Sequence, residues 1–213
     1  VAGGGIGGLA LSLALAKRGQ ASIVLDRQQD FAPLGAGIQI GPNGMRVLQA
    51  LGVADALQPL AGMPEAIVVH AGTSGRVLTQ LPLGSWIASR HGAPYWVAHR
   101  GDLHRALFEA ASSDARITMR TGFDVTAIAQ SETAATVGDP VGATVAGRAL
   151  IGADGLWSAV RQYLPGMPAP EFAGTTATRA VITSVQAGRL AIPAVGLWLN
   201  QNAHVVHYPV RGG

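Results

Sequence analysis

Three glycines at the start of the chain, Gly3, Gly5 and Gly8 in the pattern Gly-x-Gly-x-x-Gly, constrain this sequence more than any other feature. They stand between a strand end and an apolar run. In that run Leu9, Leu11, Leu13 and Leu15, with Ala10, Ala14 and Ala16, predict a helix apolar nearly all round and therefore buried. Gly19 is a fitting helix stop, and Ser22 to Leu25 reads as a short strand ending at Asp26. Strand, helix and strand in this order form a β-α-β unit, which demands a parallel sheet. In that context each glycine has a task. The first permits the tight turn, the second lets the backbone approach a pyrophosphate, and the third packs helix against strand. Free N–H groups at the helix start, around Ile6 and Gly7, then bind phosphates. Asp26, 18 residues beyond Gly8, stands where a carboxylate can accept bonds from ribose hydroxyls. A bound adenine dinucleotide is the reading, against the alternative of a glycine loop with a surface Asp. Asp in place of Arg here disfavours a 2′-phosphate, so FAD or NAD suits the pocket better than NADP. The spacing does not choose between those two.

Composition removes several other chemistries. The chain has 213 residues, 48% of them hydrophobic, and no cysteine, which excludes disulfides, thiolate catalysis and cysteine-based metal sites. A formal net charge of +3 with no basic run argues against nucleic acid as a partner. Lys17 is the only lysine and falls in the helix pattern, which disfavours Schiff-base chemistry. The uncharged stretch Val1 to Ala16 is too short and too glycine-rich for a membrane span, and lacks the basic region of a signal peptide.

Further along, Phe31 to Pro42 reads as loop and Met45 to Leu51 as a short helix. Ala66 to His70 and Val77 to Leu81 read as a hairpin around Thr73-Ser74-Gly75. Asp102 to Ala111 is a helix pattern with Leu103, Ala106, Leu107 and Ala110 on one face. Short strands follow from Arg116 to Val145. Ala149 to Ile151 reads as a buried strand running into Gly152-Ala153-Asp154-Gly155, and Ser158 as the N-cap of a helix to Leu164. Beyond the proline-rich stretch Pro165 to Pro170, the best domain boundary, strands are expected at Thr178 to Thr183, Val195 to Leu199 and His204 to Val210. Trp86, Trp96, Trp157 and Trp198 are expected as core anchors. His70, His91, His99 and His104 have no metal-ligand spacing, and no metal is expected.

Several motifs agree in order and spacing over essentially the whole chain: Val1 to Arg27, Gly35 to Asn43, Pro94-Tyr95, His99-Arg100-Gly101-Asp102-Leu103, Gly152 to Arg161 and His204 to Pro209. Together they resemble the single-component (group A) FAD-dependent aromatic hydroxylases, the group that takes in salicylate hydroxylase, 3-hydroxybenzoate 6-hydroxylase and 6-hydroxynicotinate 3-monooxygenase. The resemblance implies an α/β fold, a Rossmann-type FAD-binding domain with a β-rich substrate domain. The FAD-binding domain would be discontinuous over residues 1–70 and 97–167, with part of the substrate domain in 71–96 and 168–213. It implies FAD as cofactor and NADH or NADPH as co-substrate. The reaction would be hydroxylation of a small aromatic acid or phenol by dioxygen, through a flavin hydroperoxide, in a cytoplasmic protein with a homodimer as the expected assembly.

Residue by residue, the resemblance places Gly5, Ile6, Gly7 and Gly8 at the pyrophosphate, with Gly3 of the tight turn also among the cofactor-binding residues. Asp26 would lie at the adenosine ribose and Gln39 on the flavin side, and Arg27 is a further cofactor-binding candidate. Arg100 would contact FAD, with a helix-start ion pair to Asp102 as its alternative. Val125 would lie by the adenine through its backbone, although a core valine fits equally. Asp154 and Gly155 match a second fingerprint for FAD and the nicotinamide donor, with helix capping as the plain alternative. Arg161 would support that loop. Four-residue spacing on a strand puts His204 and Tyr208 on one face and His207 on the other, so a metal pair of His204 and His207 fails on geometry. His204 could take a phenolic proton and Tyr208 hold the substrate. The alternative is a polar solvent face on an edge strand. The family's downstream Gly-Asp motif has no counterpart before Gly213, so the chain reads as an incomplete piece. A nicotinamide-dependent dehydrogenase and a non-catalytic dinucleotide-binding module are the competing functions.

Overall fold

The computed structural model describes residues 1–30 and 35–211, so part of the expected Phe31 to Pro42 loop lies outside the described residues. The chain divides into two compact units, Val1–Ala32 with Leu107–Ala177, and Pro33–Ala106 with Thr178–Gly213.

In the first unit, α1 (Ile6–Lys17) leads into β1 (Ser22–Asp26). β1 pairs in parallel with β6 (Ile117–Thr121) from Ser22↔Ile117 to Asp26↔Thr121. On the other side of β1, Ala2 makes parallel bridges to Leu25 and to Gly152. The predicted parallel pairing is therefore present, with the first strand of the β-α-β unit reduced to the single bridging residue Ala2. α1 is less buried than its composition suggested. Gly8, Leu9, Ser12, Leu13 and Ala16 form its buried face, while Ala14 is exposed and Leu11 and Leu15 are half-buried. β7 (Ala127–Gln130), β8 (Ala135–Gly138) and β9 (Thr144–Gly147) make an antiparallel meander. Their Val137 joins Leu25 and Phe123 in a core, with Ile23, Ile128, Val145 and Leu150 packed against it. The expected buried strand at Ala149 to Ile151 is not one. Ile151 is exposed, and pairing there reduces to the bridge at Gly152, held by bonds from Ala2 N–H to Ile151 and from Ala153 N–H to Ala2. α6 (Ala159–Tyr163) begins where expected, its N-cap Ser158 accepting from the Arg161 N–H at 2.9 Å.

In the second unit, β2 (Gly37–Ile40) occupies part of the predicted loop and pairs antiparallel with β5 (Trp96–His99). α2 (Pro42–Leu51) follows with Pro at its start and Gly52 in the left-handed region at its end, so both boundaries are set by local chemistry. α3 (Ala54–Leu57) packs behind it. β3 (Ala66–Ala71) and β4 (Val77–Pro82) form the predicted hairpin. They belong to a four-stranded sheet of order β11-β10-β3-β4, in which β10 (Ala194–Leu199) runs parallel to β3 and antiparallel to β11 (His204–His207). α4 (Gly84–His91) has no counterpart in the sequence reading. α5 (Arg100–Ser112) runs from the second unit into the first, and Ala111, not the expected Ala110, joins Leu103, Ala106 and Leu107 among its buried residues.

Two expected strands change. Thr178 to Thr183 is irregular, because Thr183 caps the short α7 (Ser184–Ala187) with a capping box to Gln186, and the β-branched Val181 and Ile182 stay exposed without a neighbouring strand. The last strand stops at His207, three residues before Val210. Of the tryptophans, Trp96 is a core anchor, whereas Trp86 and Trp157 are exposed. Trp86 instead lies under the Arg90 guanidinium at 5.4 Å, and Trp198 stacks on His70 with ring centres 4.1 Å apart.

Candidate functional site

The glycine loop separates the three tasks that its spacing predicts. Gly3 has φ +102°, and a β-carbon there would meet the backbone of Ala153 and Asp154. At Gly8 a β-carbon would overlap the carbonyl oxygen of Gly3. These two glycines are demanded by the protein's own packing. Gly5 and Gly7 are different, for nothing lies within 4 Å of a β-carbon at either, and Gly5 has an ordinary φ of −73°. No protein neighbour explains a missing side chain at Gly5. The backbone at Gly5 is therefore open on that side. The first turn of α1, with Ile6 and Gly7, has no acidic residue and no side-chain cap, so its N–H groups and positive dipole end are free to face a phosphate. The loop therefore fits a dinucleotide.

Asp26 tightens this loop. Its Oδ2 accepts from the Gly4 N–H at 2.7 Å and its Oδ1 from the Gln28 N–H at 2.8 Å. A carboxylate has further lone pairs, so ribose hydroxyls can be accepted beside these bonds. Arg27 is exposed next to it. The Val125 side chain packs against the Leu25, Phe123 and Val137 core, which leaves its backbone as the part that can face a ligand.

Asp154 is a capping residue. Its Oδ1 accepts from Ser158 Oγ at 2.5 Å and its Oδ2 from the Val160 N–H at 3.1 Å. Arg161 donates to the Leu156 carbonyl and so does support this loop. Gly155 follows with φ +79° and open space in front of it. Ser158 gives and takes one bond here, so Ser158→Ala should lower stability by about 1 kcal/mol, the usual loss of an N-cap. Chemical denaturation of the two proteins measures it.

In the second unit the Tyr95 hydroxyl donates to Gln39 Oε1 on β2. The ring of Tyr208 lies over Gly37, where a β-carbon would overlap it. Burial pushes the Tyr95 phenol up, with Tyr208 adding to it. Burial likewise pushes Tyr208 up, opposed by the Arg179 guanidinium. Both phenols therefore stay protonated at neutral pH and can donate hydrogen bonds. Arg100 lies along Gly35 with its aliphatic stem, and its N–H donates to the Ala36 carbonyl at 3.0 Å. The alternative ion pair to Asp102 does not form, because Asp102 is taken by Arg211, which donates from Nε and Nη2 at 2.8 Å each. That fork, chiefly its hydrogen bonds, holds the Asp102 carboxyl below its ordinary value of 3.8.

A carboxyl with a lowered folded value adds stability above its ordinary value and loses it as pH falls through the folded one. Arg211→Gln should therefore lower the melting temperature at pH 7. The gap to the wild type should close as pH drops below 3.8, which thermal scans across pH follow.

His204 is exposed at the start of β11, opposite Leu199. Tyr208 follows the end of that strand, so the strand period no longer ties the two to one face, and four residues of extended chain separate them by roughly 13 Å. The structure brings Tyr208 to Gly37, not to His204. Sequence reasoning missed His207, which lies over Gly196, near the His70–Trp198 stack. Its Nε2 is buried without a partner, and burial, then His70, pushes its value down. A glycine opposite a histidine in the strand register was the one available signal. Among the described residues no cluster of His, Asp or Glu could hold a metal, and no helix is long and apolar enough to cross a membrane.

Residues 1–208 match the family model described as FAD binding domain. The chain belongs to that family. Its cofactor is FAD, and its fold is the α/β FAD-binding fold of flavoprotein hydroxylases. Over its whole length it is 39% identical to the 3-hydroxybenzoate 6-hydroxylase of Polaromonas naphthalenivorans, of which it covers 53%. It is 34% identical, again over its whole length, to the 6-hydroxynicotinate 3-monooxygenase of Pseudomonas fluorescens, of which it covers 55%. The FAD- and uric-acid-bound structure of Klebsiella pneumoniae HpxO superposes with a TM-score of 0.79 over 99% of this chain and 52% of that one. At 24% identity that likeness is one of fold. The FAD-binding chain spans about half the length of the curated relatives it matches.

Proposed function

We propose that the protein is an FAD-dependent monooxygenase that hydroxylates a small aromatic acid or phenol, with NADH or NADPH and dioxygen as co-substrates. The observation that carries the cofactor half is Gly5, a glycine that no protein neighbour requires at the start of a helix with uncapped N–H groups. Relatives named for hydroxybenzoate and hydroxynicotinate support the aromatic acid. FAD supplies the activation of dioxygen when bound. Gly3, Gly5, Ile6, Gly7 and Gly8 hold its pyrophosphate, Asp26 with Arg27 its ribose, and Val125 its adenine. Gln39, Arg100, Asp154 and Gly155 complete the cofactor contacts. His204 accepts the phenolic proton on an imidazole nitrogen, which enriches the ring in electrons, and Tyr208 donates a hydrogen bond to the substrate. The cofactor-binding segments are 1–70 and 97–167, and the substrate-binding segments 71–96 and 168–213, a division by role that differs from the compact units, which reflect packing. A cytoplasmic location and a homodimer complete the proposal.

The full-length protein should be yellow, with flavin absorption bands at about 375 and 450 nm. It should oxidise NADH or NADPH faster in the presence of one member of a hydroxybenzoate and hydroxypyridine panel. A colourless protein that still binds NAD would overturn the proposal in favour of a dehydrogenase. A yellow protein that takes up no oxygen would leave a binding module.

A further inference from the structure

The segment that leaves β11 is held at successive points. Tyr208 lies over Gly37. The Pro209 carbonyl oxygen sits over Gly62, where a β-carbon would come within 2.7 Å of it. Gly62 is itself bridged to Val97 of β5 by backbone bonds of 2.7 and 2.9 Å. Arg211 then forks onto Asp102 in the first turn of α5. The Asp102 side chain is 2% exposed and that of Arg211 53%.

A carboxylate so deeply buried is costly unless its partner is fixed, and a bidentate guanidinium fixes direction as well as distance. An apolar pair at the same place would hold the segment down without setting its orientation. The fork also lies one helical turn from β5, whose partner strand β2 carries both Gly37 and Gln39.

We propose that Asp102 is a positioning residue, which through its fork with Arg211 sets the course of residues 208–211 and so seats Tyr208 against Gly37. The inference rests on the reading above for the importance of Tyr208 in the reaction, but its geometric content stands apart from it. Asp102 touches neither substrate nor cofactor in this scheme.

The test uses the full-length protein carrying 3-fluorotyrosine, with the Tyr208 fluorine resonance identified by its loss in Tyr208→Phe. Asp102→Asn and Arg211→Gln should each shift or broaden that resonance while FAD per chain stays unchanged. Each should lower kcat/KM for the aromatic acid by about tenfold to a hundredfold, as a misplaced contact does. The double variant should be no worse than either single one, since both remove the same fork. Arg211→Lys should recover little, because an ammonium cannot make the fork. An unmoved Tyr208 resonance in Arg211→Gln would overturn the inference, whatever the kinetics. That variant changes a half-exposed side chain, so it decides the matter even if Asp102→Asn does not fold. A wild-type protein that oxidises no donor with any aromatic acid would remove the functional reading alone, and the fluorine comparison would still decide the positioning.

Discussion

Gly8→Ala should destroy the nucleotide loop, whereas Gly5→Ala should leave the fold standing and weaken cofactor binding. At Gly8 the added β-carbon runs into the Gly3 carbonyl oxygen, and the Ala153 side chain closes the other side. Neither obstacle is the free end of a flexible side chain, so α1 must move off the sheet. The cost falls at or beyond the upper end of overpacking, about 3 kcal/mol or more, a large share of the roughly 5–15 kcal/mol that holds a domain. The expected result is a much lower melting temperature and no retained FAD. At Gly5 the backbone is in a region open to any residue and the space in front is empty. Alanine there costs no more than about 1 kcal/mol, the usual scale of a cap change. Its methyl group stands where the pyrophosphate would approach, so FAD affinity should fall about tenfold or more, equivalent to at least about 1.4 kcal/mol. Melting curves and flavin titration of both variants separate the two effects. Equal FAD affinity in Gly5→Ala and wild type would mean that the pyrophosphate does not approach at Gly5.

His204→Ala should lower kcat for the aromatic substrate by roughly a hundredfold to ten-thousandfold, the usual contribution of a positioned general base. The side chain is exposed on an edge strand, so its loss should leave melting temperature and FAD content at wild-type values. Tyr208→Phe removes a hydroxyl while keeping the ring over Gly37, so its effect should appear first in KM and in the fraction of donor oxidation that yields product. A His204→Ala protein that loses FAD would move the residue from proton transfer to cofactor support. A variant with unchanged kcat would return it to the solvent face.

Much of this molecule was legible because the relevant interactions are local. Gly3, Gly5 and Gly8 announce a loop in which the structure packs Gly3 and Gly8 against protein backbone and leaves Gly5 open. The hairpin around Thr73-Ser74-Gly75 and the Ser158 cap depend on residues a turn apart, and both are present. The misreadings have equally physical causes. Thr178 to Thr183 has β-branched residues but no strand beside it, and its last residue caps a helix instead. Ile151 is apolar, yet only a single bridge at Gly152 follows it. At β11 the pattern continued to Val210, but Pro209 cannot donate to a ladder, and the chain leaves the sheet after His207.

By itself the sequence determines that this chain starts as a β-α-β unit with a phosphate-ready helix, because glycine spacing, apolar run and Asp26 all act within one supersecondary unit. It also carries the family, since several motifs agree over the length of the chain. Only the tertiary structure decided that Asp102 pairs with Arg211 and not with Arg100, a contact between residues 109 positions apart. It alone placed Tyr208 over Gly37 and His207 over Gly196. Such contacts depend on how sheets and helices converge, and no periodicity along the chain encodes which side chains meet there.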